Sequence, residues 1–175
     1  MGLIVMAGAA NETTLVQMIP APLREAWDEI RTGAGSAADA APIAGVASVI
    51  DGDTIEIHGQ RIRLHGIDAP EGGQTCLDAA GRTWRCGQRA ALALQDLIGR
   101  RTVSCDERDV DRYGRIVGRC LVGEVDINEW LVAQGLALAY RRYSHDYVAV
   151  EDEARAAGRG MWAGTFEPPW EWRRR

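Results

Sequence analysis

The segment Thr54 to Leu64, TIEIHGQRIRL, alternates apolar and polar residues on either side of one glycine. A period of two belongs to strands with one buried face, and a break as short as Gly59-Gln60 leaves room only for a tight turn. Thr54 to His58 and Arg61 to Leu64 are therefore read as a hairpin, with Ala47 to Ile50 as a strand leading into it. Thr102 to Cys105 and Ile116 to Val122 read as two more strands, joined by a loop whose tip is Asp111-Arg112-Tyr113-Gly114. Three helices accompany them. Gln88 to Ile98 carries Ala91, Leu94, Leu97 and Ile98 on one face and is stopped by Gly99. Ile127 to Gln134 follows an Asp126/Glu129 capping box and ends at Gly135. A last helix, capped by Ser144, runs through Ala157. Five short strands followed by helices predict an α+β protein, a small β-barrel with helices packed beside it.

Composition agrees with a folded body: 46% of the 175 residues are hydrophobic and 26% charged, which excludes a disordered chain. The barrel pattern starts near Val46. Residues 1–45 read as an appendage, with a short amphipathic helix at Pro22 to Ile30 and a Gly/Ala/Ser-rich linker from Thr32 to Gly45; residues 46–175 form the main domain. The formal net charge is −5, so no broad basic face announces a nucleic-acid binder. All 20 basic residues are arginine. Arginine's planar fork suits phosphate and carboxylate, although a GC-rich genome gives the same bias. No stretch resembles a membrane span. The apolar opening Met1 to Ala10 is short and lacks a positive start, so it reads poorly as a secretory signal.

Acids and an arginine crowd the first hairpin, in Val49 to Thr54 (VIDGDT) and Arg63 to Glu71 (RLHGIDAPE). Asp51 and Asp53 have a bland reading as turn residues beside Gly52, and Arg63 and Glu71 as a surface pair. The sharper reading is a site in which carboxylates hold a hard cation and arginine handles an anion. Asp53 at the start of one strand and Asp68 at the end of another then face each other across a barrel mouth.

Four pieces in order decide between these readings: VIDGDT, RLHGIDAPE, DRYGR at Asp111 to Arg115, and NEWLVAQGLA at Asn128 to Ala137. Together with ARAAGRGMW at Ala154 to Trp162, they resemble the staphylococcal-nuclease-like (thermonuclease) domain family over about Val46 to Trp162. The resemblance implies an OB-type five-stranded β-barrel with three packed helices. It also implies a calcium-dependent nuclease, a monomer acting on DNA and RNA and leaving 3′-phosphates. The calcium ligands would be Asp53, Asp68 and the backbone carbonyl of Ala69, where the family often has threonine. Glu71 would position or deprotonate the attacking water, and Arg63 and Arg115 would grip the scissile phosphate. Tyr113, Tyr140 and Tyr143 lie where the family sets phenols against base and phosphates, with Gly135 to Tyr140 one residue shorter than its usual form. Arg112 would contact phosphate. Domains that keep the barrel as a non-catalytic binding module are the alternative; here the acids and both arginines are retained. His58 reads as exposed, His65 and His145 as structural. The terminal Arg173-Arg174-Arg175 reads as a solvated tail, and Trp162, Trp170 and Trp172 as folding back around Pro168-Pro169.

Cys76, Cys86, Cys105 and Cys120 show no zinc spacing. Cys105 and Cys120 are equidistant from the centre of the Asp111–Gly114 tip, so a symmetric hairpin sets them opposite each other. Cys76 and Cys86 then close a small loop after Glu71, an insert that also resembles exported bacterial members of the family. Disulfides place the protein in an oxidising, extracytoplasmic compartment, periplasmic or secreted, against the reading of its N-terminus.

Overall fold

The computed structural model describes residues 41–175. The helix expected at Pro22 to Ile30 and the linker as far as residue 40 lie outside the described residues. The first strand, β1 (Ile43–Val49), takes in the last three residues of the expected linker. It runs into β2 (Thr54–Ile57) and β3 (Gln60–Leu64) as an antiparallel meander, with Val49 opposite Ile55 and Ile55 opposite Ile62. The turn between β2 and β3 is His58-Gly59, one residue earlier than expected. Both residues have positive φ, 52° and 80°, the conformation whose twist fits a two-residue hairpin. His58 is exposed there.

β1 changes partner midway. Ile43 to Val46 pair with β7 (Thr102–Val110), whereas Ala47 to Val49 pair with β2. β7 pairs antiparallel with β8 (Ile116–Val122), and β8 returns to lie parallel to β3, with Ile62 opposite Ile116. That last pairing closes a five-stranded mixed barrel. Short strands decorate it: β4 (Ile67–Asp68), β5 (Cys76–Leu77), β6 (Thr83–Trp84), β9 (Val125–Asp126) and β10 (Leu138–Ala139). Ile55, Ile57, Ile62, Leu64, Val103 and Val122 fill the interior and are at most 1% exposed.

Helix α1 (Cys86–Ile98) covers the barrel with Ala90, Leu94 and Ile98; Ala91 and Leu97, placed on that face from sequence, are half-buried at its edge. Helix α2 (Ile127–Ala133) is capped as expected, its Glu129 N–H donating to Asp126 Oδ1 at 3.1 Å. Asn128, fully buried, joins it to the closure. Its Oδ1 accepts from Cys120 N at 3.2 Å, and its Nδ2 donates to His65 O and Gly118 O at 2.9 and 3.2 Å. Helix α3 (Val148–Ala156) starts four residues after Ser144, whose hydroxyl instead accepts from Asp146 N in the preceding turn. A single turn, α4 (Pro169–Trp172), follows near the end of the chain. Both disulfides are formed, Cys76–Cys86 and Cys105–Cys120. No described helix is long and apolar enough to cross a membrane.

Candidate active site at the barrel mouth

Gly52 lets two loops meet at one end of the barrel. A Cβ there would stand 2.8 Å from Ala69 Cβ and 3.1 Å from Ala90 Cβ, so VIDGDT can lie against GIDAPE only with glycine at this position. Asp51 is the turn residue, accepting from Asp53 N at 3.0 Å. Asp53, the last residue before β2, instead turns inward. It accepts from Thr54 Oγ1 at 3.1 Å and from Ala69 N at 3.3 Å, and is 7% exposed. Asp68 ends β4 opposite Leu138 of β10 and is completely buried.

Arg63, from β3, stands between the two acids. Its Nη2 donates to Asp53 Oδ2 at 3.1 Å and to Asp68 Oδ1 at 2.8 Å. Burial pushes the Asp53 carboxyl up to about 7, against the pull of Arg63, with Asp51 and Asp68 pushing it further. A buried carboxyl raised in this way, with a second buried acid beside it, calls for positive charge beyond one guanidinium.

Glu71 follows Pro70 and its side chain is 41% exposed. Its backbone is fixed from below. Gln74, fully buried, accepts from Glu71 N at 3.2 Å through Oε1, and its own N–H donates to Glu71 O at 2.7 Å. The start of α1 presses on the same peptide: a Cβ on Gly87 would lie 1.7 Å from Glu71 O. The Cys76–Cys86 bridge ties both ends of this insert together beside Gly87.

The solvated-tail reading of the final arginines fails at Arg173. Its Nη1 and Nη2 donate to Asp68 Oδ1 and Oδ2 at 3.1 and 2.7 Å, and Nη1 also reaches Glu71 Oε1 at 2.7 Å. A buried carboxylate recruits whatever cation the chain can bring, and a guanidinium fork matches it bidentately. Neither Arg173 nor Gln74 stood out in the sequence, because each acts on residues through contacts that no local pattern encodes.

The other expected residues lie apart from this cluster. Arg115 is held within its own loop by Asp111, its Nε 2.7 Å from Asp111 Oδ2. Among the described residues no hydrogen bond or ion pair joins it to Arg63, Asp68 or Glu71. The guanidinium groups of Arg112 and Arg115 lie 4.8 and 5.6 Å from the Tyr113 ring, which is 69% exposed. Tyr140 and Tyr143 meet edge to face at 4.9 Å, and Trp170 stacks on Tyr140. His65 faces Asp146 at 3.5 Å.

Asp53 and Asp68, with Glu71 nearby, offer the hard oxygens that a divalent cation such as calcium takes, although among the described residues no three ligating side chains are gathered closely enough to hold one as they stand. The closed five-stranded barrel with helices packed beside it defines an OB-type α+β domain. The family described as staphylococcal nuclease homologue matches residues 61–164, and the chain belongs to that family. It is 43% identical to the succinoglycan biosynthesis protein ExoI of Rhizobium meliloti over 70% of this chain and 66% of that protein. It is 37% identical to a micrococcal nuclease of Shigella flexneri over 74% of this chain and 79% of that protein. Protein ParB of Escherichia coli is 36% identical over 74% and 77% respectively.

Proposed function

We propose that this chain is a calcium-dependent nuclease that hydrolyses phosphodiester bonds of DNA and RNA and leaves 3′-phosphates. The observation that carries the reading is the meeting of Asp53, Asp68 and Glu71 with Arg63 at one barrel mouth, two of those acids buried. Asp53, Asp68 and the Ala69 carbonyl would hold calcium, which supplies a Lewis acid against the phosphoryl oxygens. Glu71 stands at the water-accessible rim, on a backbone locked by Gln74 and Gly87, and orients or deprotonates the attacking water. Arg63 faces the charge that builds on phosphorus, where fixed donors contribute most. Arg115 meets the same phosphate once its loop turns from Asp111, with Arg112 and Tyr113 beside it. Tyr140 and Tyr143 supply ring surface for a base.

The barrel domain, which begins with β1 at Ile43, three residues before the expected boundary at Val46, is the working domain in this reading and acts as a monomer. The two disulfides support an extracytoplasmic setting. Digestion of plasmid DNA and of RNA, with calcium or with chelator, tests the proposal. Cleavage that needs calcium is expected. Binding to nucleic acid without cleavage under both conditions would favour a non-catalytic module.

A further inference from the structure

The last turn of the chain lies across the site. Its root is fastened to the disulfide-bridged insert: Leu77 and Thr165 exchange backbone hydrogen bonds at 2.8 and 3.2 Å, and Gln74 Nε2 donates to Glu167 O at 2.7 Å. Arg175 pairs back onto Glu167. Pro168-Pro169 then start α4, which delivers two side chains to two separate places. Trp170 stacks on Tyr140, with ring centroids 5.6 Å apart and planes within 8°. Arg173 takes both oxygens of Asp68 and one of Glu71. One segment thus covers an aromatic platform and the buried acid together.

Both contacts compete with a ligand. A hard divalent cation draws oxygens to roughly 2.3–2.6 Å and gathers six or more of them. Asp68 Oδ1 already accepts from Arg63 and Arg173, and a cation on the remaining lone pair of Oδ2 would stand against the Arg173 guanidinium, so the two cations compete for this carboxylate. A nucleobase cannot lie on the Tyr140 face that Trp170 occupies.

We propose that residues 167–175 form a strap that closes over the site, and that cation binding and strap release are a single exchange. The strap places Arg173 where the cation would sit and Trp170 where a base would stack. This inference rests on the cation reading of Asp53 and Asp68 given above. By reciprocity, the strap weakens apparent calcium affinity by the fraction of molecules that are open, and calcium favours the open form to the same extent.

Calorimetric titration of calcium into the parent protein, Arg173→Ala, Trp170→Ala and Arg174→Ala tests it. Arg173→Ala and Trp170→Ala are each expected to bind calcium about tenfold more tightly than the parent. Trp170→Ala removes no charge, so its gain cannot come from local electrostatics. Arg174 pairs with Glu171 three residues away, and Arg174→Ala is expected to match the parent. Hydrogen exchange over residues 167–175 should quicken when calcium is added to the parent. Parental calcium affinity in Trp170→Ala, or strap exchange that calcium leaves unchanged, would overturn the strap and leave the metal site standing. Failure of all four proteins to bind calcium would overturn the metal site, and the exchange with it.

Discussion

Arg63 has two buried acids to satisfy and, in the proposed reaction, a phosphate to meet. A lysine there keeps the charge and loses the fork. Arg63→Lys is expected to lose roughly two to three decades of single-turnover cleavage, with kcat and kcat/KM falling together. Arg115→Lys is expected to do the same, although Arg115 rests against Asp111 in this structure. Two well-folded variants with parental rates would remove the catalytic reading of both arginines. Asn128 tests the fold and not the chemistry. It makes three hydrogen bonds between α2 and the strands on either side of the closure. Asn128→Ala leaves those backbone groups without partners, and chemical denaturation should show a loss of about 1–3 kcal/mol. An unchanged midpoint would mean that water replaces the amide at no cost.

At the scale of elements, the insert from Cys76 to Cys86 supports Glu71. Replacing both cysteines with alanine is expected to lower stability by about 2–3 kcal/mol. It should also slow cleavage, because Gln74 and Gly87, which hold the Glu71 peptide, flank the two ends of the loop; stability and rate equal to the parent's would deny the insert that role. Non-reducing peptide mapping should find Cys76–Cys86 and Cys105–Cys120 and no free thiol among them. The β2–β3 hairpin was legible because it alternates on either side of one glycine, and the acids and Arg63 because they crowd that hairpin. β7 runs on to Val110 but was legible only to Cys105, because Asp106 to Asp109 are all charged and exposed and show no alternation. The Cys105–Cys120 pairing was legible for a less direct reason. The turn closes from Asp111 N to Arg115 O at 2.9 Å, so its centre lies half a residue beyond the expected one. A bulge between Glu107 and Asp109 shifts the register back by the same amount, and the cysteines still face each other. Arg173 was not legible, since its partners lie 105 and 102 residues away and three consecutive arginines look the same as any exposed tail.

For the whole molecule, calcium should act as a stabiliser. A ligand that binds only the folded form adds about 2.7 kcal/mol at a hundredfold excess over its Kd. Thermal unfolding should therefore move upward with calcium and return with chelator, and the Asp53→Ala, Asp68→Ala double variant should not respond. A melting temperature indifferent to calcium in the parent would argue against the site. The closure of the barrel has a consequence for synthesis on the ribosome. β3 finds its second neighbour only in β8, and Ile62 waits for Ile116. As the chain emerges from its N-terminal end, the β1–β3 meander is complete while one long edge still offers unpaired amides to any strand nearby. Nascent chains halted before Ile116 should accordingly be sticky and protease-sensitive, and those released just beyond Val122 should not. For this topology, the interval between those two points is when a cell's chaperones matter most.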